Sequence, residues 1–322
     1  MKRKIKKSSW LLLIAIAFSS FVNAQKPSAN IEPAREQEVF YIKGIKFVDA
    51  LLEKWVSEYS KTYPDALPSI AGKDVHEYSI EVVPSGKQKD DSIQGEKLFI
   101  PFGKYAVLPI AGKNNVLLDG FRKKKLNEKR LKELFFDKDI FAEDYEADKK
   151  EKYDAVVYSG NNSCSVSHSF AEYFGYETGS LKGKKIAGDD IYLNNAVQKD
   201  LKGVSFNNLN YVFNIESRQL NDGIALIPLD LKKEYEKVLN VQNLDETITL
   251  LENKNIDLIP VEELAFVLPK KVDLATIGFL EWALSEGQEY IHSFGFLRLD
   301  AKTLAQQQKH VSELETKLLV NK

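Results

Sequence analysis

The chain has 322 residues, with 45 Lys and Arg against 47 Asp and Glu, 43% hydrophobic residues and one cysteine, Cys164. That balance excludes a coat for nucleic acid or anionic lipid, and a lone cysteine excludes both an internal disulfide and a cysteine-built zinc cluster. Stability must come from hydrophobic burial, for which the length is ample.

In chain order, the first feature is a leader. Lys2, Arg3, Lys4, Lys6 and Lys7 form a positive n-region, Trp10 to Phe18 is apolar, and Val22-Asn23-Ala24 supplies small residues before a cut at Gln25. The apolar run is too short to cross a hydrocarbon core, which needs about 20 residues. Residues 1–24 therefore read as a signal peptide, and cleavage leaves 40 basic against 47 acidic residues, a net charge of −7. Residues 25–37 are polar, with two prolines, and read as a flexible lead-in.

Glu38 to Ile45 then reads as a strand broken at Gly44, followed by a helix from Phe47 to Thr62 with Val48, Leu51, Leu52, Trp55 and Tyr59 on one stripe. Tyr78–Val83, Lys97–Pro101 and Tyr105–Ile110 read as strands, and Asn127–Phe136 as an amphipathic helix. The charged stretch 137–152 reads as a solvated surface. Asp154–Ser159 is a buried-type strand running into a Ser/Asn cluster and a helix. Gly223–Pro228 and Leu264–Leu268 are further strands; Asp273–Ser285, Glu289–Phe294 and Ala301–Val320 are helical. Strands alternating with helices predict α/β layers.

Ile277-Gly278-Phe279-Leu280-Glu281-Trp282, the turn Ser285-Glu286-Gly287-Gln288 and the segment Phe294-Gly295-Phe296-Leu297 resemble, in order and spacing, the C-terminal part of substrate-binding proteins of phosphate ABC transporters. Phe102–Ile110, Asn114-Asn115 and the helix from Leu126 to Phe136 resemble that family's crossing strand, asparagine turn and following helix, and Gly223–Pro228 its glycine-started strand. The resemblance implies a two-lobed periplasmic-binding-protein-like α/β fold with two crossing hinge strands. One lobe would hold residues 38–108 plus 265–322, the other 109–264, with the ligand in the cleft between them. It also implies phosphate or a related oxyanion as ligand and an inner-membrane ABC permease as partner. No nucleic acid, cofactor, metal or enzymatic activity is expected. Without a cysteine at the cleavage site the mature protein would carry no lipid anchor and would stay soluble in a periplasm.

In that family backbone amides and hydroxyls at helix N-termini hold the ligand, because the first helical turn offers unpaired N–H groups and a partial positive charge. By position, Ser163, Cys164, Ser165 and Ser167 occupy the main ligand loop, with Cys164 in place of a serine, Ser165 of a glycine and Val166 of a threonine. The family's upstream arginine and aspartate fall on Gly160 and Asn162. Gly44, Lys46 and Phe47 stand in a first loop that has lost its hydroxyls and gained a lysine. The Ser cluster also fits an ordinary helix cap, and Lys46 a solvated lysine. Two other functions remain open at this level: an envelope interaction protein on the same fold with a degenerate or lost ligand site, and a thiol hydrolase built on Cys164 and His168, four residues apart.

Overall fold

The computed structural model describes residues 38–84, 97–137, 153–161, 166–269 and 272–320. The expected leader and lead-in lie outside the described residues, as do 138–152 and Ser163, Cys164 and Ser165. Among the described residues no helix is long and apolar enough to cross a membrane.

The chain opens with β1 (Glu38–Lys43), a 3-10 turn at Lys46–Val48 and α1 (Asp49–Thr62), whose Leu51, Leu52, Trp55 and Tyr59 are buried as the stripe predicts. β2 (Ala66–Ile70) pairs parallel with β1 at the outer end of the sheet. Its Leu67-Pro68-Ser69 core hides it in the sequence, but an edge strand tolerates proline because one side of its backbone has no partner to lose. β3 (Ile80–Pro84) lies beside β1.

β4 (Lys97–Gly112) is one strand where the sequence reads as two. Pro101-Phe102-Gly103 looks like a break; instead a bulge there absorbs one residue and the strand carries on. Up to Ala106 it pairs antiparallel with β9 (Val261–Pro269). From Val107 it pairs with β7 (Gly203–Asn208), and Ile110–Gly112 pair also with β8 (Ile224–Leu226). A single sheet therefore runs β2-β1-β3-β9-β4-β7-β5-β6, with β8 beside β4.

Between β4 and β9 come α2 (Leu118–Lys123), α3 (Glu128–Phe135), β5 (Val156–Gly160), α4 (Val166–Tyr173), β6 (Lys184–Ile186), α5 (Ile191–Lys199), then β7, α6 (Leu209–Val212), β8, α7 (Lys233–Val241) and α8 (Leu244–Asn253). After β9, α9 (Leu274–Leu284) and α10 (Ala301–Val320) return to the β1–β3 side, and the expected helix at 289–294 is two short 3-10 turns, Glu286–Tyr290 and His292–Phe294. β7 is the strand hardest to see in the sequence. All six of its residues are buried, yet half are polar. Ser205 and Asn207 are tolerated because they are bonded: the Ser205 hydroxyl donates to Tyr158 O, and Asn207 Nδ2 to Asp190 O and Asn194 Oδ1.

Each side of the sheet has its own aromatic core. Trp55, Phe102, Phe266 and Phe279 pack on the β1–β3 side. Phe135, Phe136, Phe170 and Phe206 pack on the other, where Phe170 stacks on Phe206 at 3.9 Å between ring centres. Truncating Phe170 empties the middle of that second cluster. Phe170→Ala is expected to cost about 3–5 kcal/mol, read as a fall in the urea midpoint with an unchanged slope.

Candidate functional site

The turn after β1 brings Gly44, Lys46 and Phe47 to the inner end of the first lobe. Gly44 packs closely on the start of α1: a Cβ there would lie 2.5 Å from Asp49 Oδ1 and 2.8 Å from Leu52 Cδ1, so those side-chain ends would have to shift. Lys46 Nζ bonds Asp49 Oδ2 at 2.8 Å, which answers the poor match between a lysine and a helix start. Asp49, with a weaker contribution from Asp189, holds the ammonium above the usual lysine range. The Phe47 ring is buried against Tyr105 and Phe296. Its carbonyl accepts a 2.6 Å bond from Asn210 Nδ2 on α6, in the other lobe.

On the second side, β5 leads to the head of α4. Val166 and Phe170 face the core as the stripe predicts. Ser167 is buried too, and its hydroxyl accepts from the Gly160 N–H at 2.7 Å, tying the helix to the end of β5. The Val166 N–H donates to Asp190 Oδ2 at 3.1 Å. Asp190 precedes α5 but makes no side-chain cap for it; Asp189 Oδ1 takes the Ile191 N–H instead. The heads of two helices thus converge on the pair Asp189-Asp190, whose carboxylates accept from their first amides, Ile191 and Val166, where the helix ends favour negative charge.

Asp190 is 8% exposed, and its Oδ1 has no hydrogen-bond partner among the described residues. Burial is the main cause that raises its pKa to about 7, with the Val166 amide opposing and Asp189 adding to the rise. Tyr211 lies against the same pair; burial first and Asp189 second push its hydroxyl far above the normal range. Val166 and Tyr211 therefore lie against one acidic turn, Asp189-Asp190, whose field also reaches Lys46 weakly.

The crossing strands contribute a second polar group. Tyr105 and Glu262 face each other in the β4–β9 register. The Tyr105 hydroxyl donates to Glu262 Oε2 at 2.8 Å and bonds the Ser169 hydroxyl of α4. Burial raises both the Tyr105 and the Glu262 pKa, the latter against hydrogen bonds from Tyr105 and Ser169. His168 bonds Thr178 Oγ1 at 3.3 Å and lies 3.4 Å from Glu172. Those contacts give it local partners within its own lobe, while Cys164 lies outside the described residues.

A further set of bonds spans the lobes away from these groups. Arg218 donates to His292 O, Ser293 O and Asp245, and Glu252 accepts from His292 Nε2 at 2.7 Å and from the Arg298 N–H at 2.6 Å.

Of the site residues expected from the sequence, Phe47 bonds α6 through its carbonyl, Gly44 and Lys46 lie against Asp49 in their own turn, and Ser167 sits at the head of α4. Asp190, Asn210, Tyr105 and Glu262 escape sequence reasoning. Gly188-Asp189-Asp190 before an apolar helix was a readable cap signal, but nothing in it says that Asp190 serves a different helix. Among the described residues no group of His, Cys, Asp and Glu could hold a metal ion.

No family profile and no curated protein matches the chain. Solved structures do. An ABC-type phosphate transport receptor from Vibrio cholerae aligns with a TM-score of 0.54 at 10% identity, over 81% of this chain and 100% of that one. A protein described as a phosphate ABC transporter substrate-binding protein from Clostridium perfringens, solved with bound phosphate, aligns with a TM-score of 0.51 at 16% identity, over 82% and 100%. Similarity at this level shows the fold: the chain has the two-lobed periplasmic-binding-protein-like architecture.

Asp190 carries a sign that can be measured. Its folded pKa lies above the unfolded value, so between about pH 4 and 7 the folded state keeps a proton that the unfolded state has released, and stability falls as pH rises through that window. Asp190→Asn keeps an acceptor for Val166 and removes the titration. It is expected to flatten that slope and to be more stable than the parent at pH 8, by on the order of 2 kcal/mol, in urea denaturation across pH.

Proposed function

We propose that this chain is a secreted, soluble solute-binding protein of phosphate-transporter type, which takes a small oxyanion between its lobes and presents it to an inner-membrane ABC permease. One observation supports this above the others: Asn210 of α6 bonds the Phe47 carbonyl of the turn after β1, while the head of α4 bonds Asp190, whose neighbour Asp189 acts weakly on the Lys46 ammonium. Backbone amides at helix heads bind oxyanions without needing net positive charge. Ser163, Cys164, Ser165 and Ser167 fall at or just before α4 and would add donors around the same point, with Lys46 closing from the first lobe. The leader and a periplasmic location are carried into this proposal from the sequence reading of residues 1–25.

The acidic setting shapes the ligand. Asp49, Asp189, Asp190 and Glu262 outnumber Lys46, so a fully ionised dianion would meet repulsion. A protonated oxyanion offers hydrogens that carboxylates can accept, and phosphate near neutral pH is the first candidate. A second reading, an envelope interaction protein whose cleft no longer takes a ligand, is favoured by a specific contact: the Asp190 carboxylate already occupies the first amide of α4.

Thermal shift with phosphate, sulfate, a phosphonate, a carboxylate and a sugar separates the two. Phosphate is expected to stabilise the protein by about 2.7 kcal/mol at a hundredfold excess over its Kd. Lys46 is 74% exposed on its side chain, so Lys46→Ala is expected to leave the unliganded Tm unchanged and to weaken phosphate about tenfold. No shift with any oxyanion would sink the transport reading and leave the second standing.

A further inference from the structure

Away from the cleft, the second lobe contains a cavity of about 350 Å³ between β8, the start of the lobe-2 part of β4, and α7. Its walls include Leu108, Ile227, Leu229, Leu231 and Leu239. α7 is an amphipathic helix without one buried residue; Tyr235, Val238 and Leu239 pack only partly against the core. A short helix gets most of its stability from covering its apolar face, and here that face roofs a void. The pocket is at the small end of the range of ligand sites, roughly 300–1,000 Å³, and its lining mixes apolar side chains with the polar groups Arg122, Lys125, Glu236, Asn240 and Gln242.

The polar groups settle the sign of charge. Glu236 turns both carboxylate oxygens to Lys125 Nζ, each at 2.7 Å, so that pair cancels. Arg122 is the remaining charged group of the lining. Its ion-pair partner, Asp119 at 2.7 Å, has an 81% exposed side chain, and such a surface pair is worth little. A guanidinium of this kind can exchange a solvated carboxylate for one that arrives on an apolar body, in bidentate geometry.

We infer that this cavity is a second binding site, for a compact apolar molecule carrying one carboxylate, such as a medium-chain or aromatic acid. The apolar body fills the space under Leu239, and the carboxylate reaches Arg122. The walls share no residue with the Lys46, Asn210 and Asp190 group, so the site neither requires the oxyanion nor competes with it.

Isothermal titration of the full chain with octanoate, octanol and octylammonium tests this. Octanoate is expected to bind at one saturable site, and octylammonium at least about tenfold more weakly. Arg122→Gln should weaken octanoate about tenfold and leave octanol unchanged, whereas Leu239→Trp, which fills the cavity, should abolish both. Absence of saturable octanoate binding to the parent overturns the inference. So does octylammonium binding as tightly as octanoate, or binding that survives Leu239→Trp. Should Leu239→Trp fail to fold, the contrast between octanoate and octanol in Arg122→Gln decides: equal loss for both, or none for either, counts against the site. The titration is repeated with saturating phosphate, where an unchanged octanoate affinity is expected; displacement by phosphate would overturn the claim of a separate site. A failed phosphate titration leaves the octanoate result standing.

Discussion

β4 gives its backbone hydrogen bonds to β9 along the first part of its length and to β7 and β8 along the rest, so sixteen residues belong to both halves of the sheet. Every group that could hold a ligand is located with respect to that strand. Its residue at the change of partner, Tyr105, is buried among the elements that must be kept in register. It bonds Glu262 on the second crossing strand and Ser169 on α4, and its ring packs on Phe47 from the first lobe. Burying a phenol beside a carboxyl is costly unless each finds a partner, and here they satisfy one another. A displacement of β9 by one residue would turn Glu262 to the other face of the sheet and break the group.

The same constraint explains why the cleft is acidic and still compatible with anion binding. The two helix heads that meet at Asp189-Asp190 supply partial positive charge from amides, not from side chains. The chain answers that field with the Asp190 carboxylate at the Val166 amide, and burial raises the Asp190 pKa to about 7. A carboxyl that can hold a proton can donate as well as accept, whereas a fully ionised aspartate can only accept. Selectivity would then depend on the protonation state of the ligand as much as on its charge.

Bonds between the lobes fall into two groups with different consequences. Asn210 Nδ2 to Phe47 O lies beside the candidate site. Arg218 and Glu252 instead hold the segment 292–298, next to where Leu297 bridges Lys104 of the crossing strand. Arg218 adopts φ +61°, a conformation that is uncommon for a residue with a side chain. Its five-donor guanidinium, spread over carbonyls of the other lobe and Asp245, offsets that cost.

Sequence alone determined the features that depend on neighbours along the chain. The stripe of α1, the caps at Asn127 and Asp273, the apolar strands and the order of motifs were all legible, because periodicity and capping act within a few residues. Three things waited for the tertiary structure. Pro101 to Gly103 is a bulge and not a break only because β9 lies alongside to continue the ladder. β7 is a strand despite Ser205 and Asn207 because Tyr158 of β5, Asn194 of α5 and the Asp190 carbonyl bond their side chains. Asp190 caps α4 and not its own helix because folding brings residues 166 and 190 together. In each case the deciding partner is distant in sequence, and burial energies depend on which groups meet rather than on which residues adjoin.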